Sequence, residues 1–190
     1  MQKTAKYETF GKRFLASLID GIVFIPLIII DNLIEDHVTD KQVFLSWLLF
    51  YTLCGLTYAV ISHGRYGQTI GKYFMGIKVL DHVNEKEVIG YRRAFYRESI
   101  WFFTILLSLV YMAYQNSGPT INEEIHSFYY NIVNGLFSLI WLVIELVTML
   151  FNQRRRALHD YIAGSVVIDI NLSREEDLEK RKSVVLSPSH

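Results

Sequence analysis

Cysteine is nearly absent, with a single residue, Cys54, in 190, which excludes a disulfide framework and a multi-cysteine metal site. Three prolines are too few for a Pro-rich disordered chain. Neither charge sign prevails, since Lys+Arg and Asp+Glu both number 19, so the basic excess of a nucleic-acid binder is missing. Charge itself is scarce at 20% of residues, below the roughly 25% of soluble domains. Apolar residues fill the gap: 51% of the chain is hydrophobic, 14% aromatic, and the mean hydropathy is +0.22. A chain of this length holds one domain, and this composition makes it an integral membrane protein.

Crossing a bilayer core takes about 20 mostly apolar residues. Residues 14–30 carry one charge, Asp20, and the run can extend to 34; residues 43–61 carry none; residues 132–151 carry one, Glu145. The run 100–114 is shorter and reaches full length by taking in residues 96–99. The expected fold is therefore all-α and integral to the membrane, with four transmembrane helices. Of the 19 Lys and Arg residues, only Lys41 falls in the first loop and none in residues 115–131. That bias places both termini and the long middle segment in the cytoplasm. Asp20 interrupts the apolar run and residues 31–35 offer no small-residue cleavage site, so the first span is expected to be retained.

The cytoplasmic segments carry their own signals. Residues 64–72, GRYGQTIGK, superficially resemble a phosphate-binding loop. The pattern fails twice, with Tyr66 where the first glycine belongs and Tyr73 where Ser or Thr would hold magnesium. Its glycines are better explained as tight turns. Residues 76–81 (GIKVLD) and 164–169 (GSVVID) are each glycine, a β-branched-rich run and aspartate, which reads as two short strands pairing into a ribbon. Residues 91–99 alternate apolar positions with Arg92, Arg93 and Arg97, as in an amphipathic interfacial helix. The membrane unit thus spans 1–170, and 171–190 reads as a charged, flexible, solvated cytoplasmic tail.

Asp20 and Glu145 are the informative charges, because a carboxylate within a span costs roughly 2.5–3.5 kcal/mol unless paired. Counted from the cytoplasmic ends of their helices, they lie about 10 Å and about 9 Å deep, so the two can share a level. Pro26 cannot donate to the Ile22 carbonyl, which offers a cation ligand near Asp20 or a simple bend. Asp20 has a second reading as the partner of a cytoplasmic arginine, and Arg13 lies seven residues before it on the same helix face. Glu145 has a second reading as partly hydrated. Arg154, Arg155 and Arg156 suit orientation and contact with anionic lipid headgroups. Asp160 beside them suits an ion pair, and His159 lacks a second ligand at metal spacing. His63, His82 and His126 stand alone. Trp47, Tyr51, Trp101, Tyr111, Tyr114, Tyr129 and Tyr130 cluster near span ends, as an interfacial belt would.

Three stretches together resemble the RDD family of bacterial membrane proteins over about residues 7–170. They are FGKRFLASLID at 10–20, GQTIGK with GIKVLD at 67–81, and RRALHDYIAG at 155–164. The resemblance implies a trio, Arg13, Asp20 and Asp160, with further motif positions Gly67, Gln68, Gly71, Lys72, Arg156 and His159. Ile70 stands where family members often have proline. The resemblance also implies the bacterial cytoplasmic membrane as location, and a transport role, with cation/proton antiport attributed to some members.

Two functions fit. The first choice is a small-cation/proton exchanger that uses intramembrane carboxylates, with Arg13, Asp20, Glu145 and Asp160 as ion-binding or network residues. The other is a non-transporting scaffold whose trio is a structural charge network. No catalytic residue, metal or cofactor is expected: HExxH, GxSxG and a Cys–His pairing are all missing. Cys54, mid-span, reads as a small apolar filler. The expected partners are the bilayer, anionic headgroups, a small cation and a second copy of the chain, with no nucleic acid.

Overall fold

The computed structural model describes residues 5–38, 40–117 and 123–186. The chain runs through α1 (Phe10–Val23), α2 (Ile25–His37), α3 (Lys41–Ile61), a π-helical turn (Ser62–Tyr66) and α4 (Ile70–Phe74). It continues as β1 (Ile77–Asp81), α5 (Gly90–Ser117), α6 (Glu123–Phe151), α7 (Leu158–Ile162), β2 (Ser165–Asp169) and α8 (Ile170–Leu186).

The first apolar run is not one kinked helix. It ends at Val23 and restarts at Ile25, with a bend of 54° between the two segments. Pro26 then sits in the first turn of α2, where a missing N–H costs nothing. Breaking one residue pair earlier is the cheaper answer to the clash that a mid-helix proline creates. The helix α3 starts cleanly because Asp40 Oδ1 accepts the Gln42 N–H at 2.8 Å.

Among the described residues, Gln42–Tyr66 is the one continuous helix long and apolar enough to cross a membrane alone. The α1–α2 pair qualifies as one broken span, and Gly135–Phe151 of α6 is a shorter apolar stretch. That gives one or two spans by length and composition, against the four expected. Residues 100–114 are helical, inside α5. The side chains of 111–131 lie outside the described residues, and with them Tyr111, Tyr114, Tyr129, Tyr130 and His126 of the expected belt and lone histidines.

The ribbon forms as the sequence indicates. Strands β1 and β2 pair antiparallel, with Ile77 opposite Asp169, Val79 opposite Val167 and Asp81 opposite Ser165. Two strands alone are marginal in water, so this pair has to be covered. Ile77, Val79 and Val167 pack against Ala16 of α1 and Ala94 of α5, while Leu80, Val166 and Ile168 pack around Tyr7. All five β2 residues are buried. The ribbon is thus the polar end's own core, clamped between helix ends.

Two expectations change. Residues 91–99 are not a separate interfacial helix but the first turns of α5. They lead straight into the third apolar run; their inner face carries the fully buried Ala94 and the 5% exposed Arg97, which pack on the ribbon and α7, and their outer face exposes Tyr91, Phe95 and Tyr96. Residues 171–186, expected as a flexible tail, are helical. Asp169 Oδ1 accepts the Asn171 N–H at 3.0 Å at the start of α8, and Lys6 reaches Glu176 at 3.6 Å.

Candidate functional site

Where α1, α5, α7 and β2 converge lies Asp160, with no exposed surface. Its Oδ2 accepts from Arg13 Nη1 at 2.7 Å and from the Ala157 N–H at 3.1 Å. Its Oδ1 meets Arg97 Nη2 at 3.1 Å and accepts from Ser165 Oγ at 3.1 Å. Burial on its own would raise this carboxyl, but Arg13 and Arg97 outweigh it and hold Asp160 well below the usual carboxylate range. The ion-pair role read from the sequence is found, and Arg13, which the charge-network reading grouped with Asp160, is one of its partners; Arg97 is the other. The arginines next in sequence do not pair with the carboxylate; Arg156 donates to the Asp160 backbone carbonyl at 3.1 Å.

A second chain of contacts leaves this centre. Arg97 Nη2 lies 2.8 Å from His159 Nε2, and His159 Nδ1 lies 2.8 Å from Glu145 Oε1. The tautomer with its proton on Nδ1 satisfies both neighbours, donating to Glu145 and accepting from Arg97. Among the described residues, Arg97 Nε and Nη1 and Glu145 Oε2 are buried without a hydrogen-bond partner.

Asp20 is held quite differently. Its Oδ1 accepts from Tyr58 Oη and from the Gly71 N–H, both at 2.8 Å, and its Oδ2 accepts from Thr69 Oγ1 at 2.6 Å. Among the described residues Asp20 pairs with no arginine, which corrects its reading as an arginine's partner, and it makes no contact with Glu145. Neutral donors converge because α4 crosses α1 so closely that a Cβ at Gly71 would collide with the Ala16 carbonyl oxygen. The helix breaks before Pro26, and each Asp20 oxygen already accepts at least one hydrogen bond. Among the described residues no group of three His, Cys, Asp or Glu could hold a metal ion.

The motif positions fasten the ribbon to this centre. Gly67 takes a left-handed φ of 69°, and its carbonyl accepts the Val79 N–H at 2.7 Å. Gln68 Nε2 donates to the Ile77 carbonyl at 3.0 Å. Arg156 Nε donates to the Ser165 carbonyl at 2.8 Å, and its guanidinium stacks 4.2 Å from the Tyr161 ring centre. Lys72 is partly buried; burial, with Arg97 nearby, brings its ammonium down to about 8. Ile70 uses the N–H that a proline would lack, donating to Tyr58 Oη at 3.0 Å while Tyr58 serves Asp20.

At the outer edge of the ribbon, Arg93 Nη1 donates to Asp81 Oδ2 at 2.5 Å. That bond, with the Val83 N–H, brings the Asp81 carboxyl from its ordinary 3.8 to about 2 against the opposing effect of burial. A depressed carboxylate stabilises fully above its unfolded value and loses that contribution as pH falls through its folded value. The melting-temperature gap between wild type and Asp81→Asn is therefore expected to close between about pH 4 and about pH 2. A gap constant over that range would contradict the pairing.

Sequence reasoning missed Arg97, Tyr58, Thr69 and the pair His63–Glu98, whose Nδ1 and Oε1 lie 3.1 Å apart. Arg97 looked like one more polar position on an amphipathic helix, and no spacing signal separates it from Arg92 or Arg93. A model of the RDD family matches residues 7–164. No curated protein and no solved structure matches the chain.

Proposed function

The chain belongs to the RDD family, a family of integral membrane proteins, and from that premise we propose that it is a non-transporting membrane scaffold whose arginine–aspartate trio is structural. The observation that carries this reading is the way both aspartates are held. Asp160, with no exposed surface, is closed over by two guanidiniums, a hydroxyl and a backbone N–H, and the half-buried Asp20 accepts from two hydroxyls and a backbone N–H. A carboxylate that exchanges cations for protons has to be reachable by both; Asp160 is sealed, and each Asp20 oxygen already holds a neutral donor. On this reading four helices cross the cytoplasmic membrane of a bacterium, both termini face the cytoplasm, and Arg154 to Arg156 meet anionic headgroups. The protein assembles with others instead of catalysing a reaction.

Small-cation/proton exchange is the second reading, favoured by one observation: Glu145 Oε2 is buried and unpartnered among the described residues. An unspent oxygen within a span is what exchange would use. Proton flux in proteoliposomes on adding Na⁺, Li⁺ or K⁺ separates the two. The scaffold reading expects no cation-dependent flux from folded wild type under either pH gradient. Flux present in wild type and abolished by Glu145→Gln would replace it with exchange at Glu145.

A further inference from the structure

Where the α1–α2 break meets α3 and α5, the helices leave a cavity of about 280 Å³, walled by Phe24, Tyr51, Gly55, Trp101 and Phe102 and bearing one charged residue, Glu98. Cavities near this size with mostly apolar walls and few polar groups are the usual form of a small-molecule site. The Glu98 carboxylate is only partly engaged. Its Oε1 lies 3.1 Å from His63 Nδ1, and Oε2 has no hydrogen-bond partner among the described residues. The Glu98 side chain keeps 21% exposure while His63 keeps 5%, and Glu98 is among the residues that line the cavity. Two internal cations act on it, and neither covers it: Arg97 is committed to Asp160 and His159, and Lys72 forms no ion pair with it.

The walls decide what kind of cation would fit. A bare hard ion wants about six oxygen ligands, and beyond Glu98 the lining offers only the hydroxyls of Tyr51 and Thr52. The Thr52 hydroxyl already donates to the Leu48 carbonyl at 2.7 Å. Aromatic faces, by contrast, attract an ammonium and also pack against an apolar body. We propose that this cavity binds a small organic ammonium cation, its charge on Glu98 and its apolar part against Phe24, Tyr51, Trp101 and Phe102. The inference is independent of the scaffold and exchange readings, because neither uses Glu98.

The test is a titration of the purified full-length protein with 2-phenylethylammonium, its neutral counterpart 2-phenylethanol, and Na⁺, read by calorimetry. Saturable binding of the ammonium is expected, about tenfold or more tighter than the alcohol, with no heat from Na⁺. Glu98→Gln is expected to erase that preference. Gly55→Leu is a second variant, since a Cβ at Gly55 meets nothing within 4 Å and a larger side chain there grows into the cavity. It should abolish binding of both probes without touching the carboxylate. Equal affinity for ammonium and alcohol in wild type, absence of saturable ammonium binding, or wild-type affinity in both variants would overturn the proposal.

Discussion

Asp160→Ala is expected to lower unfolding stability by about 3–5 kcal/mol, the usual cost of removing one partner from a buried ion pair. The size follows from what remains behind. Arg13 and Arg97, with side chains 12% and 4% exposed, would face each other across an empty site with no counter-charge. The Ala157 N–H and the Ser165 hydroxyl would lose their acceptor as well. A pair with one exposed partner gives the contrast: Lys12 reaches Asp169 at 2.5 Å with its own side chain 41% exposed, and the buried Asp169 keeps the Asn171 and Leu172 N–H donors, so Lys12→Ala should cost only about 1 kcal/mol. Denaturant unfolding in detergent measures both, and a cost for Asp160→Ala no larger than that for Lys12→Ala would contradict the buried network.

Gly71→Ala is the second large effect, with an expected loss of about 3 kcal/mol, the upper range for forcing atoms into a filled space. A methyl there meets the Ala16 carbonyl oxygen and comes within 3.0 Å of Asp20 Cγ, so α4 has to lift off α1. Lifting it also pulls the Gly71 N–H and the Thr69 hydroxyl from Asp20, leaving a carboxylate with two of its three donors displaced. The opposite result is expected at Gly11, where a Cβ meets nothing within 4 Å in an α1 position. Gly11→Ala should stabilise by up to about 1 kcal/mol through helix propensity alone. Melting temperatures of the two variants compare them directly, and a neutral Gly71→Ala would mean that the crossing is looser than the structure shows.

The ribbon was the most legible part of the fold. Two glycine-led runs ending in aspartate are a local pattern, and their pairing needs only that both lie on one side of the membrane. The break at Phe24 was half legible: Pro26 announces a disturbance, but whether a helix kinks through a proline or restarts before it depends on what packs against the bend. The helical tail was misread because charge density says that a segment is solvated, not that it lacks helix. In the site, Asp160 was recognisable as an ion-pair partner from the basic run beside it. Of its two partners, Arg13 was legible through the motif trio, but Arg97 was not, because no sequence spacing encodes its meeting with Asp160. Asp20 shows the same limit more sharply. Its partners are neutral hydroxyls and one amide, and charge counting is blind to those. Glu98 was invisible because it stands at the edge of an apolar run, where a carboxylate reads as interfacial, and only the gap between α3 and α5 makes it a lining residue.

The central claim is that Arg13 and Asp160 act on each other within one structural network. A double-mutant cycle with Arg13→Ala, Asp160→Ala and the combined variant measures that coupling, by unfolding in detergent. The account predicts that the double variant loses at least about 1 kcal/mol less than the two single losses added together, since removing both charges leaves neither stranded. Additive losses, with no coupling between the two positions, would contradict it.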